Sequence, residues 1–356
     1  MKIALDALGG DYGAKPNVLG ALKAAKKLNV EVILVGDEVV LRRELKALGY
    51  SDVPNNISIV HAPNTIDMGA EPAKECRQKK DASIVVCANL VHKGVADAFV
   101  SAGHSGAAMV AALFGMGRIK GVQRPAIATP MPTYKGVSLL LDGGANADCK
   151  PIHLLQFAVM GSAYMQKVFD IPAPSVGVLS IGEEETKGNF LVKHTIPHMR
   201  EIGVNFKGTV EGRDVNTGDT DVIVCDGFVG NIVLKMAEGL AKTMINMIKR
   251  EVKKRPLALL GALLSKGAFK AVKDHTNPDC YGGAPLVGVN GVAIISHGKS
   301  NDFAIFNAIK TAKRLVEKDF IGDIAAKMSA LKPTFDEIEK EIHQEEKSWR
   351  ILKVKM

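Results

Sequence analysis

Seven runs of apolar residues, each giving way at once to small polar residues, constrain this 356-residue chain more than any other feature. They are IALDALGGD from Ile3, VILVGD from Val32, AFVSAGHSG from Ala98, LLLDGGAN from Leu139, VGVLSIGEE from Val176, VIVCDGFVGN from Val222 and VAIISHGKSN from Val292. A short apolar run without polar alternation reads as a strand buried on both faces, as in a parallel sheet covered by helices. Helical patterns separate the runs, as at 153–169, 232–253 and 301–317. Alternation of this kind predicts a layered α/β fold, in which ligands bind outside the carboxyl ends of the strands. Those ends hold most of the small polar residues. Each turn taken alone could merely convert strand to helix, but seven together point to a shared site.

The most specific of these segments runs from Val222 through Asp226-Gly227-Phe228-Val229-Gly230-Asn231 into a helix. A buried strand feeding a glycine-rich turn and a helix N-terminus presents amide N–H groups and a positive dipole end, which suits an anion. The formal charge of +8, from 46 Lys and Arg against 38 Asp and Glu, allows an anionic substrate, an acidic partner or a charged membrane surface. Nucleic acid fits poorly, because the lysines are dispersed and aromatics are few, with one Trp and five Tyr. Cys76, Cys87, Cys149, Cys225 and Cys280 are odd in number and contain no C-x-x-C pair, so neither a disulfide framework nor a zinc site is indicated. That usage suggests a reducing, cytoplasmic compartment. The first apolar run meets Asp6 after three residues and reads as a strand, not a signal peptide, and no run approaches the length of a membrane span.

The loops together resemble a known family, the bacterial phosphate acyltransferases of phospholipid synthesis. The resemblance spans Met1 to about Lys332 and rests on IALDALGGD, SAGHSGAAM from Ser101, RPAIATPMP from Arg124 and LLDGGANADC from Leu140. It continues with GEEETKGN from Gly182, VEGRDV from Val210, DGFVGNIVLK from Asp226, YGGAPLVGVNG from Tyr281 and HGKSN from His297. The third turn departs from the family's usual SAGNTG in having His104 and Ser105, and Gly143 stands where Val is common. The resemblance implies a three-layer α/β/α fold with a mostly parallel sheet, similar to the phosphotransacetylases and the isocitrate and isopropylmalate dehydrogenases, and a homodimer. It implies conversion of acyl-acyl-carrier-protein and inorganic phosphate to acyl phosphate, for use by a glycerol-3-phosphate acyltransferase.

In that reaction phosphate attacks a thioester carbonyl, a tetrahedral oxyanion collapses and a thiolate departs. Phosphate is already partly dianionic near neutral pH, so the protein's work is to hold, orient and stabilise negative charge. Lys187 is the leading cation, for phosphate or the oxyanion, with Gly188 and Asn189 shaping its turn. Asn231 would orient phosphate or donate to the carbonyl oxygen, or simply cap the helix beside Asp226, Gly227 and Gly230. Arg213 offers a guanidinium fork, with Asp214 its expected ion-pair partner. Gly103, His104, Ser105 and Gly106 form a second candidate amide cradle. His104 would protonate the leaving thiolate, or serve only as a hydrogen-bonding turn residue. Asn146 and Asp142, and His297 and Asn301, are further lining candidates, and Asp6, Gly9, Gly10 and Asp11 complete the rim. The chemistry demands neither a metal nor a cofactor, and none is expected.

From Lys253 the chain reads KKRPLALLGALLSKGAFKAVK. Leu257, Leu260 and Leu264 fall at helical spacing between basic margins, which fits a helix lying on an anionic membrane surface, or alternatively a dimer-interface or core helix. Docking of the acidic acyl carrier protein would use Lys and Arg at the cleft rim. The expected organisation is a catalytic domain over 1–332, this amphipathic segment at about 253–273, and a charged tail over 333–356 whose acidic stretch gives way to a basic end. Rival readings are a short-chain phosphotransacetylase using coenzyme A, a dehydrogenase of the same broad fold, and a non-catalytic membrane scaffold for the carrier protein. No complete G-x-G-x-x-G with a downstream acidic residue supports the dehydrogenase.

Overall fold

The computed structural model describes the backbone of residues 1–355 and side chains through Glu345. The basic end expected after the acidic stretch therefore lies outside the described side chains. In chain order the strands are β1 (Lys2–Asp6), β2 (Glu31–Gly36), β3 (Ile57–His61), β4 (Ala98–Ser101), β5 (Ala126–Ile127) and β6 (Thr129–Thr133). They continue as β7 (Gly136–Leu141), β8 (Ser175–Ser180), β9 (Asn205–Glu211), β10 (Val222–Val224), β11 (Ala284–Val287) and β12 (Val292–Ile295). They divide into two sheets, one ordered β3-β2-β1-β4-β12-β11-β5 and the other β6-β7-β10-β8-β9. The seven apolar runs are β1, β2, β4, β7, β8, β10 and β12. Strands that lack such a run are mostly at sheet edges. Among them, β6 carries Pro130 and Pro132, which an edge tolerates because a missing N–H there breaks no second ladder.

Alternate residues of the central strands enter different cores, which is why these strands need apolar residues at every position. Ile3 and Leu5 pack with Val18 and Ile305 on one face of the first sheet, while Ala4 packs with Cys87 and Ala108 on the other. In the second sheet Leu139, Leu141, Val222 and Val224 share the first of these cores, and Leu140 and Ile223 face a third, where Val233 and Leu234 pack. The Pro151–Val168 helix is buried on nearly every side and belongs to the core common to both sheets. A helix apolar all round can only sit inside. The result is helices on both faces of mostly parallel strands, a three-layer α/β/α arrangement.

The strand senses place the site. β1, β2, β4 and β12 run parallel, β11 runs against β12, and β5 against β11, so β5 shares the sense of β1. After Ala128 the chain continues as β6, which is antiparallel to β7, and β7, β10, β8 and β9 are mutually parallel. The carboxyl ends of the two sets therefore point toward each other across the 126–133 crossing. Gly143, just beyond β7, donates its N–H to Ile127 O at 2.8 Å, fixing that convergence.

One segment differs from expectation, and for another, one of two alternatives drops out. The 333–356 tail is not separate: one helix runs Phe320–Lys355 straight through Pro333. Phe335, Ile338 and Ile342 are buried in the common core. Dense charge on one face hid an apolar stripe at helical spacing. For the 253–273 segment the core-helix alternative is excluded, and the exposed amphipathic segment stands as two short helices. The Gly227–Lys253 helix leaves the second sheet after Ala237, and two short helices, Pro256–Leu264 and Lys266–Thr276, return from its far end with no buried residue. His275 Nε2 lies 2.7 Å from Thr133 O and ties the returning end to β6.

Candidate active site

At the end of β7 the chain turns around a buried carboxylate. Asp142 Oδ1 accepts N–H groups from Ile127, Gly144 and Ala145 at 3.0, 3.1 and 2.9 Å. Its Oδ2 accepts the N–H and the side-chain amide of Asn146 at 2.7 and 2.8 Å. Burial pushes the Asp142 carboxyl above the usual range, and the N–H donors oppose that rise. Asn146 is consumed by this knot, since its other amide hydrogen goes to Pro125 O at 2.7 Å. Gly227 and Gly230 are required beside it. A Cβ on Gly227 would meet Asp142 Oδ2 at 2.8 Å, and one on Gly230 would collide with the Asp142 carbonyl.

The Gly227–Lys253 helix starts on that knot. Asp226 caps it by accepting Val229 N–H at 2.8 Å, and Gly227 N–H donates to Asn146 O at 2.8 Å. Asn231 stands one turn in, exposed, beside Gly144, whose φ of +133° suits glycine. Among the described residues its side-chain amide has no hydrogen-bond partner. The other candidate asparagines differ. Asn189 caps the Phe190–Thr195 helix through Val192 N–H, and Asn301 caps the Asp302–Glu317 helix while donating to Asp279 at 2.7 Å. Both are engaged as caps, which the sequence could not distinguish from ligand binding.

A second cluster gathers at the ends of β1 and β4. Asp6 is buried, and accepts hydroxyls from Ser83 at 2.6 Å and Ser101 at 2.7 Å. Burial raises its carboxyl, with those two hydroxyls pulling against the rise. Gly9, Gly10, Gly103 and His104 join Asp6, Ser83 and the 65–68 segment around a cavity of about 140 Å³. The amide cradle expected at 103–106 is filled from within. Ser101 Oγ takes Gly103 N–H, and His104 Nδ1 takes the N–H groups of Gly106 and Ala107 at 3.0 and 3.3 Å. An accepting Nδ1 leaves Nε2 to carry the hydrogen of the neutral ring. Ser105 is exposed with its hydroxyl unengaged among the described residues, and His297 accepts Lys299 N–H at 3.0 Å in an exposed turn. Ser83 escaped the sequence reading because it lies 77 residues from Asp6 and begins a helix with no motif.

The cations sit on exposed loops after β8 and β9, paired with carboxylates. Lys187 Nζ is 2.8 Å from Glu184, whose hydrogen bond holds the ammonium above its ordinary range. Arg213 meets Glu183 at 2.9 Å and Glu211 at 3.0 Å, with Asp214, the expected partner, at 3.8 Å. Neither cation is hydrogen-bonded to Asn231. The structure therefore assembles Asp142, Asn146, Asp226, Gly227, Gly230 and Asn231 as one group and Asp6, Gly9, Gly10, Gly103 and His104 as another, while the ion pairs of Lys187 and Arg213 go to Glu183, Glu184, Glu211 and Asp214.

Beyond the body, Leu257, Leu260 and Leu264 are 85, 56 and 81% exposed, and Met236, Leu240, Met244 and Ile248 form an exposed stripe along the preceding helix. No helix among the described residues is long and apolar enough to cross a membrane.

Comparison with known proteins adds to this geometry. The family model described as "Fatty acid synthesis protein" matches residues 1–322. The chain is 62% identical over 339 residues to the phosphate acyltransferase of Elusimicrobium minutum, covering 95% of this chain and 99% of that protein. It is 51% identical over 331 residues to that of Pelotomaculum thermopropionicum, covering 93 and 96%. Among solved structures it is similar to a phosphotransacetylase from Streptococcus pyogenes, with a TM-score of 0.59 at 20% identity over 88% of this chain and 94% of that one. The EutD phosphotransacetylase of Staphylococcus aureus gives 0.58 at 19% identity, with the same coverage. At such identities these two likenesses concern the fold.

Proposed function

The chain belongs to the phosphate acyltransferase family, and from that premise we propose that it makes acyl phosphate from a long-chain acyl-acyl-carrier-protein and inorganic phosphate. A phosphate oxygen attacks the thioester carbonyl carbon, the C–O bond forms, and the carbonyl oxygen becomes an oxyanion. Collapse breaks the C–S bond and releases the carrier's thiol arm as a thiolate that takes a proton. The observation that carries the residue assignment is Asn231, whose amide is unengaged at the N-terminus of a 27-residue helix, where developing negative charge is favoured. Asn231 orients phosphate. Lys187 leaves Glu184 to neutralise phosphate or the oxyanion, and His104, through Nε2–H, protonates the thiolate.

The exposed apolar surface supports the lipid side of this reading. The 236–248 stripe is assigned to a second copy of the chain in a homodimer, and the Leu257–Leu264 tip to the surface of an anionic membrane. Lys253, Lys266 and Lys273 flank the tip without ion-pair partners among the described residues and supply the attraction to acidic headgroups. Basic residues at the rim dock the acidic carrier, and a glycerol-3-phosphate acyltransferase consumes the product. The test is phosphate-dependent acyl phosphate formation, measured with long-chain acyl-acyl-carrier-protein and with acetyl-coenzyme A. Turnover of the first, lost in Asn231→Ala, is expected. Turnover of the second alone would overturn the assignment in favour of a short-chain phosphotransacetylase, and carrier binding without turnover would favour a scaffold.

A further inference from the structure

We propose that Asp142, which contacts no substrate, is the positioning residue that sets Asn231 for phosphate; this rests on the assignment of Asn231 above. Its carboxylate is wholly buried and takes five N–H donors, from Ile127 on the crossing strand, from the following turn and from the Asn146 amide. Only an acceptor on both oxygens satisfies that set. An amide in its place would set its NH2 hydrogens against at least two of the donors, whichever way it is flipped.

The knot reaches Asn231 by three contacts. Asp142 Oδ1 holds the Gly144 N–H at 3.1 Å, and Gly144 backs onto the Asn231 side chain, where a Cβ would lie 3.5 Å from Asn231 Cβ and 3.6 Å from Oδ1. Asp142 Oδ2 lies against Gly227 at the helix start. The Asp142 carbonyl lies against Gly230, immediately before Asn231. The first helical turn thus rests on Asp142 on its inner side, and the Asn231 amide faces outward from a support that cannot shift without breaking buried hydrogen bonds.

The experiment is a double-mutant cycle on the full chain with Asp142→Asn, Asn231→Ala and the pair, measuring KM for inorganic phosphate and for long-chain acyl-acyl-carrier-protein. KM is a property of the folded molecules, so loss of folded protein alone lowers only the apparent kcat. Asp142→Asn is expected to raise the phosphate KM about tenfold, the worth of one misplaced charge-assisted hydrogen bond, while the thioester KM stays within about twofold. The pair is expected to match Asn231→Ala alone, because the support matters only through the group supported. Additive effects, equal rises in both KM values, or a fall in kcat with both KM values unchanged would overturn the proposal. If Asn231→Ala leaves the phosphate KM unchanged, the assignment of Asn231 fails instead. If Asp142→Asn yields no folded protein, Asn146→Ser, which removes one donor to Oδ2, replaces it in the same cycle with a smaller expected rise in the phosphate KM.

Discussion

Replacing Leu257 and Leu264 by serine tests whether the projecting tip meets lipid. Both side chains are more than four-fifths exposed, so nearly all of their transfer free energy is available to a new environment. Full burial of a leucine stabilises by about 1.5–3 kcal/mol. Insertion to the depth of the headgroup boundary realises roughly half of that, so the pair contributes about 1.5–3 kcal/mol. On a scale of ~1.4 kcal/mol per decade, the double variant should bind vesicles roughly ten- to a hundredfold more weakly. Flotation with vesicles rich in phosphatidylglycerol measures the partition coefficient, and sedimentation velocity reports the oligomeric state. Weaker partitioning with an unchanged sedimentation coefficient supports the membrane reading. Unchanged partitioning, together with dissociation into single chains, would refute it and make the tip an interface between copies.

Three further outcomes are expected. Lys187→Ala should lower turnover about a hundredfold, and unchanged steady-state kinetics would remove Lys187 from the site. His153 is buried, and burial first, with Arg124 and Lys150 adding to it, lowers its pKa to about 4. The folded state therefore keeps it neutral, its contribution is complete above pH 6.5 and is lost as pH falls from about 6.5 to about 4, a total of about 3 kcal/mol. His153→Gln should flatten the pH dependence of urea unfolding in that window, and parallel curves would contradict the assignment. Phe335→Ala should cost about 3–5 kcal/mol in chemical denaturation, whereas a loose surface tail would show less than about 0.5 kcal/mol.

The sheet interiors were legible because strands buried on both faces advertise themselves locally, and the seven runs needed no knowledge of their neighbours. Short edge strands such as β5 carry no such mark, since their pairing is decided by distant partners, and so the division into two sheets was not readable. The C-terminal helix was misread for a related reason. Phe335, Ile338 and Ile342 recur at helical spacing, but charges between them dominate the local composition. In the site, residue type marked the turn residues that cluster around Asp6 and Asp142, but not that Ser83 joins them, nor how each side chain spends its hydrogen bonds. Asn146, Asn189, Asn231 and Asn301 look alike in sequence. Three are occupied by caps or by the Asp142 knot, and only the fold leaves Asn231 unengaged among the described residues.

The arrangement separates what must be rigid from what must yield. Asp6 and Asp142 stand at equivalent places, each ending a central parallel strand, each buried, and each followed by a glycine pair, Gly9-Gly10 and Gly143-Gly144. Asp6 draws its partners from Ser83 and Ser101 on other elements and leaves a cavity beside it. Asp142 draws its partners chiefly from its own turn and sets a neutral amide, Asn231, against the start of a helix. The full charges, by contrast, ride on exposed loops already matched with carboxylates. An exposed pair such as Lys187–Glu184 contributes little to stability, so a phosphate dianion that offers Lys187 more charge can displace Glu184 at small cost. Under the assignment proposed above, Asn231 is buttressed by a buried carboxylate, while Lys187, on an exposed loop, would reach the site together with the anion. A free cation fixed beside Asn231 would instead hold acyl phosphate as firmly as phosphate, and the product would leave slowly.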